Sequence, residues 1–313
     1  MHATTLRAWA KVNLALAVAP AEHAGPRLGW HRICSWMHAI ELHDTVRIEP
    51  VPGDPRPACP TLRTRWADDA PLHAGQPVAW PADADLALRA ARLLAPDAPL
   101  RITIDKRIPD GAGLGGGSSD AAAVLIGASA ALGLPIRPDH LRRLAQRLGS
   151  DVAFFIDLHQ AADPPGKADA RTLGPTPTDA PPRPAIVEGF GQDVHRLPAP
   201  ARPTPITLAL PGFGCPTASV YRTFDADHPG PIRRHAVLDL ARRTLQDPAV
   251  GPALFNDLQP PAERLYPALA ELRRRLERAW NQPVHLTGSG STLFALGHHQ
   301  DVQGCTLVRT MLV

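Results

Sequence analysis

Residues 109–125, PDGAGLGGGSSDAAAVL, decide how this chain folds. Glycines at 111, 113, 115, 116 and 117 run into Ser118, Ser119 and Asp120, then into an alanine-rich stretch that predicts a helix from about Ser119 to Leu132. Residues 100–105, just upstream, predict a short strand. Each glycine in or beside a helix costs about 1 kcal/mol, so the cluster needs a use. A strand, a glycine loop and a helix N-terminus in succession offer bare backbone N–H groups and the positive end of the helix dipole to an anion. Ser118 and Ser119 add hydroxyls for a phosphate or its Mg²⁺, and the ligand that suits the set is a nucleoside triphosphate.

Two phosphate loops of the same general kind are excluded. Gly111, Gly113 and Gly116 satisfy GxGxxG, but the residues about 20 positions on, LPIRPDH, lead into a helix where a dinucleotide fold needs a strand ending in an acidic residue. Gly111 and Gly116 have the GxxxxG spacing of a Walker loop, yet Gly117 stands where its lysine belongs.

The remaining sequence sets bounds around this loop. A chain of 313 residues with 44% hydrophobic residues is long enough for two cores. With 33 basic against 30 acidic residues, and no basic run interleaved with aromatics, it has no polyanion surface, so nucleic acid is not an expected partner. Only Lys11, Lys106 and Lys167 are lysines. Cys34, Cys59, Cys215 and Cys305 are scattered without zinc-type spacing and read as reduced thiols, and no metal ligand set is expected. The N-terminal apolar stretch imitates a signal peptide, but Lys11 and Asn13 interrupt it. No apolar run reaches the ~20 residues of a membrane span. The expectation is a cytoplasmic protein that acts on a small molecule without a membrane, a homodimer being compatible with the sequence.

Periodicity predicts a strand over 6–18, two β segments within 30–51 around a turn at His43-Asp44, and loops with short edge strands over 52–84. Helices are predicted over 86–94, capped by Asp83 or Asp85, over 141–148, and over 262–280. Strands are predicted over 206–211, 284–286 and 292–296, the last two flanking a second small-residue turn, TGSGS. Residues 157–184 turn Pro/Asp/Ala-rich and aperiodic, a surface excursion by composition.

The glycine stretch resembles the phosphate-binding motif of the GHMP kinases, PxxxGLGSSAA. The segments AWAKVNLAL (8–16), GWHRICSWMHAIELHDTVRIE (29–49), LGSDVAFFI (148–156), PTASVY (216–221), FNDLQ (255–259) and LTGSGSTLFAL (286–296) resemble, in order, the branch of that family that acts on a cytidine-diphosphate-linked alcohol. The resemblance spans nearly the whole chain. It implies an α+β two-domain fold, with a ribosomal-protein-S5-like N-terminal domain over 1–184, the insertion at about 157–184 included, and a ferredoxin-like C-terminal domain over 185–313. It implies ATP and Mg²⁺ as cofactors and phosphorylation of the 2-hydroxyl of 4-diphosphocytidyl-2-C-methyl-D-erythritol, a step of the non-mevalonate isoprenoid route.

Residue by residue, the resemblance makes Asp151 the acceptor of the hydroxyl proton. A helix N-cap is the alternative for that position, but an acid beside the apolar run VAFFI is expected to be half-buried, where its pKa can be tuned. Lys11 is a lone lysine in an apolar strand, costly to bury without an anion, and it is expected to meet Asp151 and the transferring phosphate. Asn13, two residues on and so on the same strand face, is placed beside the reacting hydroxyl. Pro109, Gly111, Gly113, Leu114, Gly115, Gly116, Gly117, Ser118 and Ser119 are assigned to ATP, with Asp85 at the adenine end and Lys106 lining the nucleotide pocket. Trp30 and His31 stand where the family has an aromatic-His pair that holds the cytosine, and Tyr221 matches a second aromatic. Gly288, Ser289 and Gly290 approach the substrate diphosphate.

The chain departs from the family at Leu28, where an Asp is usual, at Trp30 for Tyr, at Asp85 for Asn and at Gln192 for Glu. Two readings compete: a GHMP kinase for another alcohol, such as homoserine or a mevalonate derivative, and a nucleotide-binding regulator without catalysis. Trp30-His31 speaks against the first, and intact Lys11, Asn13 and Asp151 against the second.

Overall fold

A computed structural model describes every residue except 1, 52–58, 136, 159–179, 201, 228, 244, 246 and 248. Most of the expected excursion at 157–184 therefore lies outside the described residues, as does Lys167. The chain forms two compact units. One comprises Met1–Trp9, His43–Arg107 and Gly116–Pro182, the other Ala10–Leu42, Ile108–Gly115 and Arg183–Val313. The sequence division at 184/185 differs from this, because residues 10–42 and 108–115 pack with the C-terminal part. Two long strands explain the difference: β1 (Thr4–Ala21) and β2 (His31–Pro50) each give residues to both units.

In the first unit, residues 45–50 of β2 run antiparallel to β4 (Leu100–Lys106), whose other side pairs in parallel with β3 (Thr61–Trp66). β3 is the edge strand anticipated in the Pro-rich stretch. Helices α1 (Leu86–Leu94), α2 (Gly116–Leu132), α3 (Pro138–Gln146) and the short α4 (Val152–Phe155) complete the unit. Asp85 caps α1, accepting a 2.9 Å bond from the Ala87 N–H. The expected turn at His43-Asp44 does not form, and β2 runs through it unbroken. The reason is that Asp44 is fully buried and occupied by Lys106 and the Arg107 N–H, so its side chain serves a tertiary ion cluster and not a local turn.

In the second unit, residues 33–37 of β2 pair antiparallel with β5 (Ala185–Gly189), which continues into β6 (Asp193–Arg196). β7 (Thr204–Leu210) is followed by α5 (Thr217–Ala226), α6 (Arg234–Ala241), the short α7 (Val250–Ala253) and β8 (Phe255–Asn256). α8 (Gln259–Leu265) and α9 (Pro267–Trp280) replace the single helix expected over 262–280. The break falls at Tyr266, non-helical at φ −126° and ψ 79°, because the ring of Pro267 disfavours helical backbone in the residue before it. β9 (His285–Leu286), β10 (Leu293–Leu296) and β11 (Thr306–Leu312) then join β7 in the antiparallel order β9-β10-β7-β11. β8 pairs in parallel with β1 at Ala15 and Leu16. Alternating strands and helices with mixed strand pairing make the α+β class that was expected.

His38 on β2 and His285 on β9 are both buried, and burial lowers each imidazole from 6.5 to about 4 despite a bond to a backbone carbonyl. A depressed histidine keeps its contribution above the unfolded value and loses it as pH falls. Between pH 7.5 and 5 each should cost about 2 kcal/mol of stability. Urea unfolding followed across that range is expected to show the midpoint dropping on acidification, and a flat profile would contradict the burial argument.

Candidate active site

The glycine loop owes its path to backbone conformation. Gly111, Gly113 and Gly115 all take positive φ, 61°, 76° and 74°, while Ala112 and Leu114 between them point inward at 6% and 1% exposure. The alternation returns the chain to Gly116, where α2 begins three residues earlier than predicted. Gly116, Gly117, Ser118 and Ser119 thus form the first turn, whose N–H groups have no partner within the helix. Gly117 is exposed and Ser118 half-buried, whereas Ser119 is buried, so Ser118 is the better placed of the two hydroxyls for a ligand. Pro109 is buried at the loop's entry.

Within the second unit, three chain segments far apart in sequence are tied together at one lysine. The Lys11 Nζ donates to Asn13 Oδ1 at 2.6 Å and to the Gly113 carbonyl at 2.8 Å, and the Lys11 N–H donates to the Leu114 carbonyl at 3.0 Å. Asn13 is held on its other sides: its Nδ2 donates to Ser35 Oγ at 2.8 Å, and its backbone N–H to Thr287 Oγ1 at 3.0 Å. The TGSGS turn closes on the loop from the other direction. A Cβ added at Gly113 would lie 2.2 Å from the Thr287 carbonyl oxygen, so glycine is required there by contact as well as by φ. Gly288 is also close, its would-be Cβ 3.0 Å from the Gly113 oxygen and 3.4 Å from Lys11 Nζ. Gly290 donates to the Thr287 carbonyl, Thr292 to the Ala112 carbonyl, and Ser289 shares a 2.9 Å bond with Thr217 on α5. Asn256 braces the turn, its Nδ2 donating to the Leu286 and Gly288 carbonyls at 2.8 Å each. Lys11, Asn13, Gly113, Gly288 and Gly290 are thus brought together as a rigid cradle.

The same unit carries His31 at the head of β2. Its ring is 4.7 Å from Tyr221 and its Nε2 is 2.8 Å from Asp225 Oδ1. Trp30, 47% exposed, packs instead edge-on against Phe190 with the Arg27 guanidinium over its face. His31 and Tyr221 therefore meet, while Trp30 belongs to a neighbouring aromatic-Arg cluster. Leu28, where an Asp is usual, is 66% exposed.

In the first unit, Asp151 is half-buried and occupies the N-cap position of α4. Its side chain makes no capping bond, so the local alternative for this residue does not account for it. The expectation that Lys106 lines a nucleotide pocket meets a different environment: the side chain is buried, and Nζ donates to Asp44 Oδ2 at 2.5 Å and to Asp120 Oδ2 at 2.7 Å. Burial opposes the lysine's charge, but Asp120 and Asp44 outweigh it and raise its pKa. Burial raises Asp120 well above the usual carboxylate range, with the Lys106 charge opposing. The cluster ties β2 and β4 to the start of α2. Asp85 is likewise committed, its Oδ2 accepting from Trp80 Nε1 at 3.0 Å while Oδ1 caps α1.

Thr287, Ser35, Asn256 and Asp225 were not singled out from the sequence. Thr287, Asn256 and Ser35 stand inside quoted segments, LTGSGST, FNDLQ and GWHRICSW, but Asp225 has no local signal.

Residues 85–157 match the family described as GHMP kinases N terminal domain, and residues 240–304 match GHMP kinases C terminal. A Thermus thermophilus protein named 4-diphosphocytidyl-2-C-methyl-D-erythritol kinase is 33% identical over 297 residues, covering 93% of this chain and 87% of its own. The chain belongs to that kinase family, within the GHMP kinases. A protein of the same name from Pelotomaculum thermopropionicum is 32% identical over 300 residues, with 93% and 88% covered. A crystal structure of 4-(cytidine 5'-diphospho)-2C-methyl-D-erythritol kinase matches at a TM-score of 0.67 and 29% identity, over 98% of both chains. The family places the glycine loop and its helix in an ATP-dependent small-molecule kinase, the fold class and activity expected of the sequence. Among the described residues no helix is long and apolar enough to cross a membrane.

Proposed function

We propose that this protein transfers the γ-phosphoryl group of ATP to the 2-hydroxyl of 4-diphosphocytidyl-2-C-methyl-D-erythritol. The observation that carries the reading is the buried Lys11, fixed by Asn13 and the Gly113 carbonyl at the glycine loop, in a chain whose relatives bear that enzyme's name over 93% of its length.

Phosphoryl transfer leaves the protein little covalent work; it must position the reactants and stabilise spreading charge. The first-turn N–H groups of α2 and the exposed Gly117 suit the triphosphate. Lys11 supplies positive charge held in place by its two oxygen partners, so no reorganisation is needed when charge develops. Asp151, half-buried at the N-terminus of α4, takes the hydroxyl proton. Asn13 orients Lys11 and lies on the same face of β1. His31 with Tyr221 receives the cytosine, and the Gly288–Gly290 backbone approaches the diphosphate. Lys106 and Asp85 act behind the site, holding α2 and α1. Magnesium brought by the nucleotide would neutralise charge between the β- and γ-phosphates, and the half-buried Ser118 hydroxyl, a hard oxygen donor on the first turn, is the group suited to hold it.

The test is ADP release by the purified protein with MgATP and three acceptors: 4-diphosphocytidyl-2-C-methyl-D-erythritol, homoserine and mevalonate. Turnover is expected with the first alone, and Asp151→Asn should reduce it by about a hundredfold or more. Turnover with homoserine or mevalonate would overturn the acceptor. Silence with all three in a protein that binds ATP would favour the regulator.

A further inference from the structure

His31 is held by three residues of α5, of which Tyr221 and Asp225 lie four positions apart and so share one helix face. Tyr221 packs against the imidazole at 4.7 Å, Phe224 approaches it edge-on at 6.1 Å, and Asp225 Oδ1 sits 2.8 Å from Nε2. The His31 side chain is 8% exposed and that of Asp225 37%, so the ring is enclosed while its carboxylate partner reaches solvent. An ionised carboxylate only accepts hydrogen bonds. The proton in this bond must therefore sit on Nε2, and a neutral ring is left with Nδ1 as an acceptor.

We propose that Asp225 is a positioning residue that holds His31 in its Nε2-protonated form and thereby makes the site select cytosine over uracil. The inference rests on the reading that His31 meets the base. Cytosine carries an amino donor at N4 where uracil carries a carbonyl acceptor. A lone pair on Nδ1 pairs with the amino group; against the uracil oxygen it would set acceptor against acceptor and leave both unsatisfied in an enclosed place. Without Asp225 the ring is free to carry its proton on either nitrogen, and the discrimination is lost even though the imidazole remains.

Calorimetric titration with CDP and UDP at pH 8 tests this on the intact protein. The wild type should bind CDP at least about tenfold more tightly than UDP. In Asp225→Asn, whose amide can accept or donate, the two affinities should converge to within about threefold, while Asp225→Glu should retain most of the preference. A merely structural role for Asp225 would weaken both nucleotides alike and leave their ratio unchanged, which would overturn the proposal. Nitrogen-15 spectra of the imidazole supply a second readout: Nε2-protonated in the wild type and mixed in Asp225→Asn. A wild-type ring protonated on Nδ1 would also overturn it. His31→Ala separates the two levels. If it leaves CDP affinity intact, the base contact itself is wrong and the proposal falls with it; if it weakens CDP while the Asp225→Asn ratio stays at the wild-type value, the base contact stands and only the positioning role fails.

Discussion

Lys11→Met is expected to lower kcat/KM by about a thousandfold, the scale seen when one preorganised charge-stabilising donor is removed. Methionine retains the length and apolar body of the side chain, so β1 should pack as before, and what disappears is the ammonium between Asn13 Oδ1 and the Gly113 carbonyl. Asn13 keeps its bonds to Ser35 and Thr287, which limits the structural damage to about 1–3 kcal/mol for the exposed-acceptor cost. The loss should fall on kcat more than on the ATP dissociation constant, because the glycine-loop amides proposed to hold the ground-state triphosphate are left unchanged. Lys11→Arg should not restore activity, since a planar guanidinium cannot take the place of a compact ammonium bonded to two oxygens less than 3 Å away. Steady-state kinetics with a parallel thermal melt decide the matter: a folded Lys11→Met protein within tenfold of wild type would remove Lys11 from the reaction.

Lys106→Met is expected to act on stability, by about 3–5 kcal/mol, the cost of breaking a buried ion cluster by deleting one partner. Asp44 and Asp120 would then share a buried site without the ammonium that lies 2.5 and 2.7 Å from them. Among the described residues, Asp120 Oδ1 is buried with no hydrogen-bond partner even in the intact cluster, so Asp120 has least to fall back on. The pH dependence gives the effect a signature. A carboxyl raised in the folded state contributes fully below its unfolded value and loses that contribution as pH rises, and burial already raises Asp120. Removing Lys106 removes the opposing charge. The variant's deficit should therefore grow from pH 5 to pH 8, opposite in direction to the histidine effect. Adding Asp120→Asn should recover part of the loss, as coupled partners do. Urea unfolding of both variants at the two pH values measures this, and a Lys106→Met protein within 1 kcal/mol of wild type would show the cluster to be energetically idle.

Sequence and structure agree where the signal is local. Asp85 before an amphipathic run marks the start of α1, and the glycine stretch marks a loop before a helix. They differ where a distant partner overrides a local cue. His43-Asp44 has turn chemistry, yet Asp44 serves Lys106, 62 residues away, and the strand passes through. The early start of α2 at Gly116 shows the limit of propensity: glycine is a poor helix former, but three left-handed glycines before it have already turned the chain into position. Pro267 interrupts an otherwise amphipathic pattern, and its local effect on Tyr266 overrides the periodicity on either side.

By itself, the sequence determined the class of ligand and the family, because a run of glycines entering a helix and a set of ordered segments are one-dimensional patterns. Only the tertiary structure decided which side chains share a task. Asn13 and Thr287 are 274 residues apart, Lys106 and Asp44 are 62 apart, and His31 and Asp225 are 194 apart. Hydrogen bonds act over about 3 Å, and no spacing along a chain encodes which distant residues folding will bring within that reach.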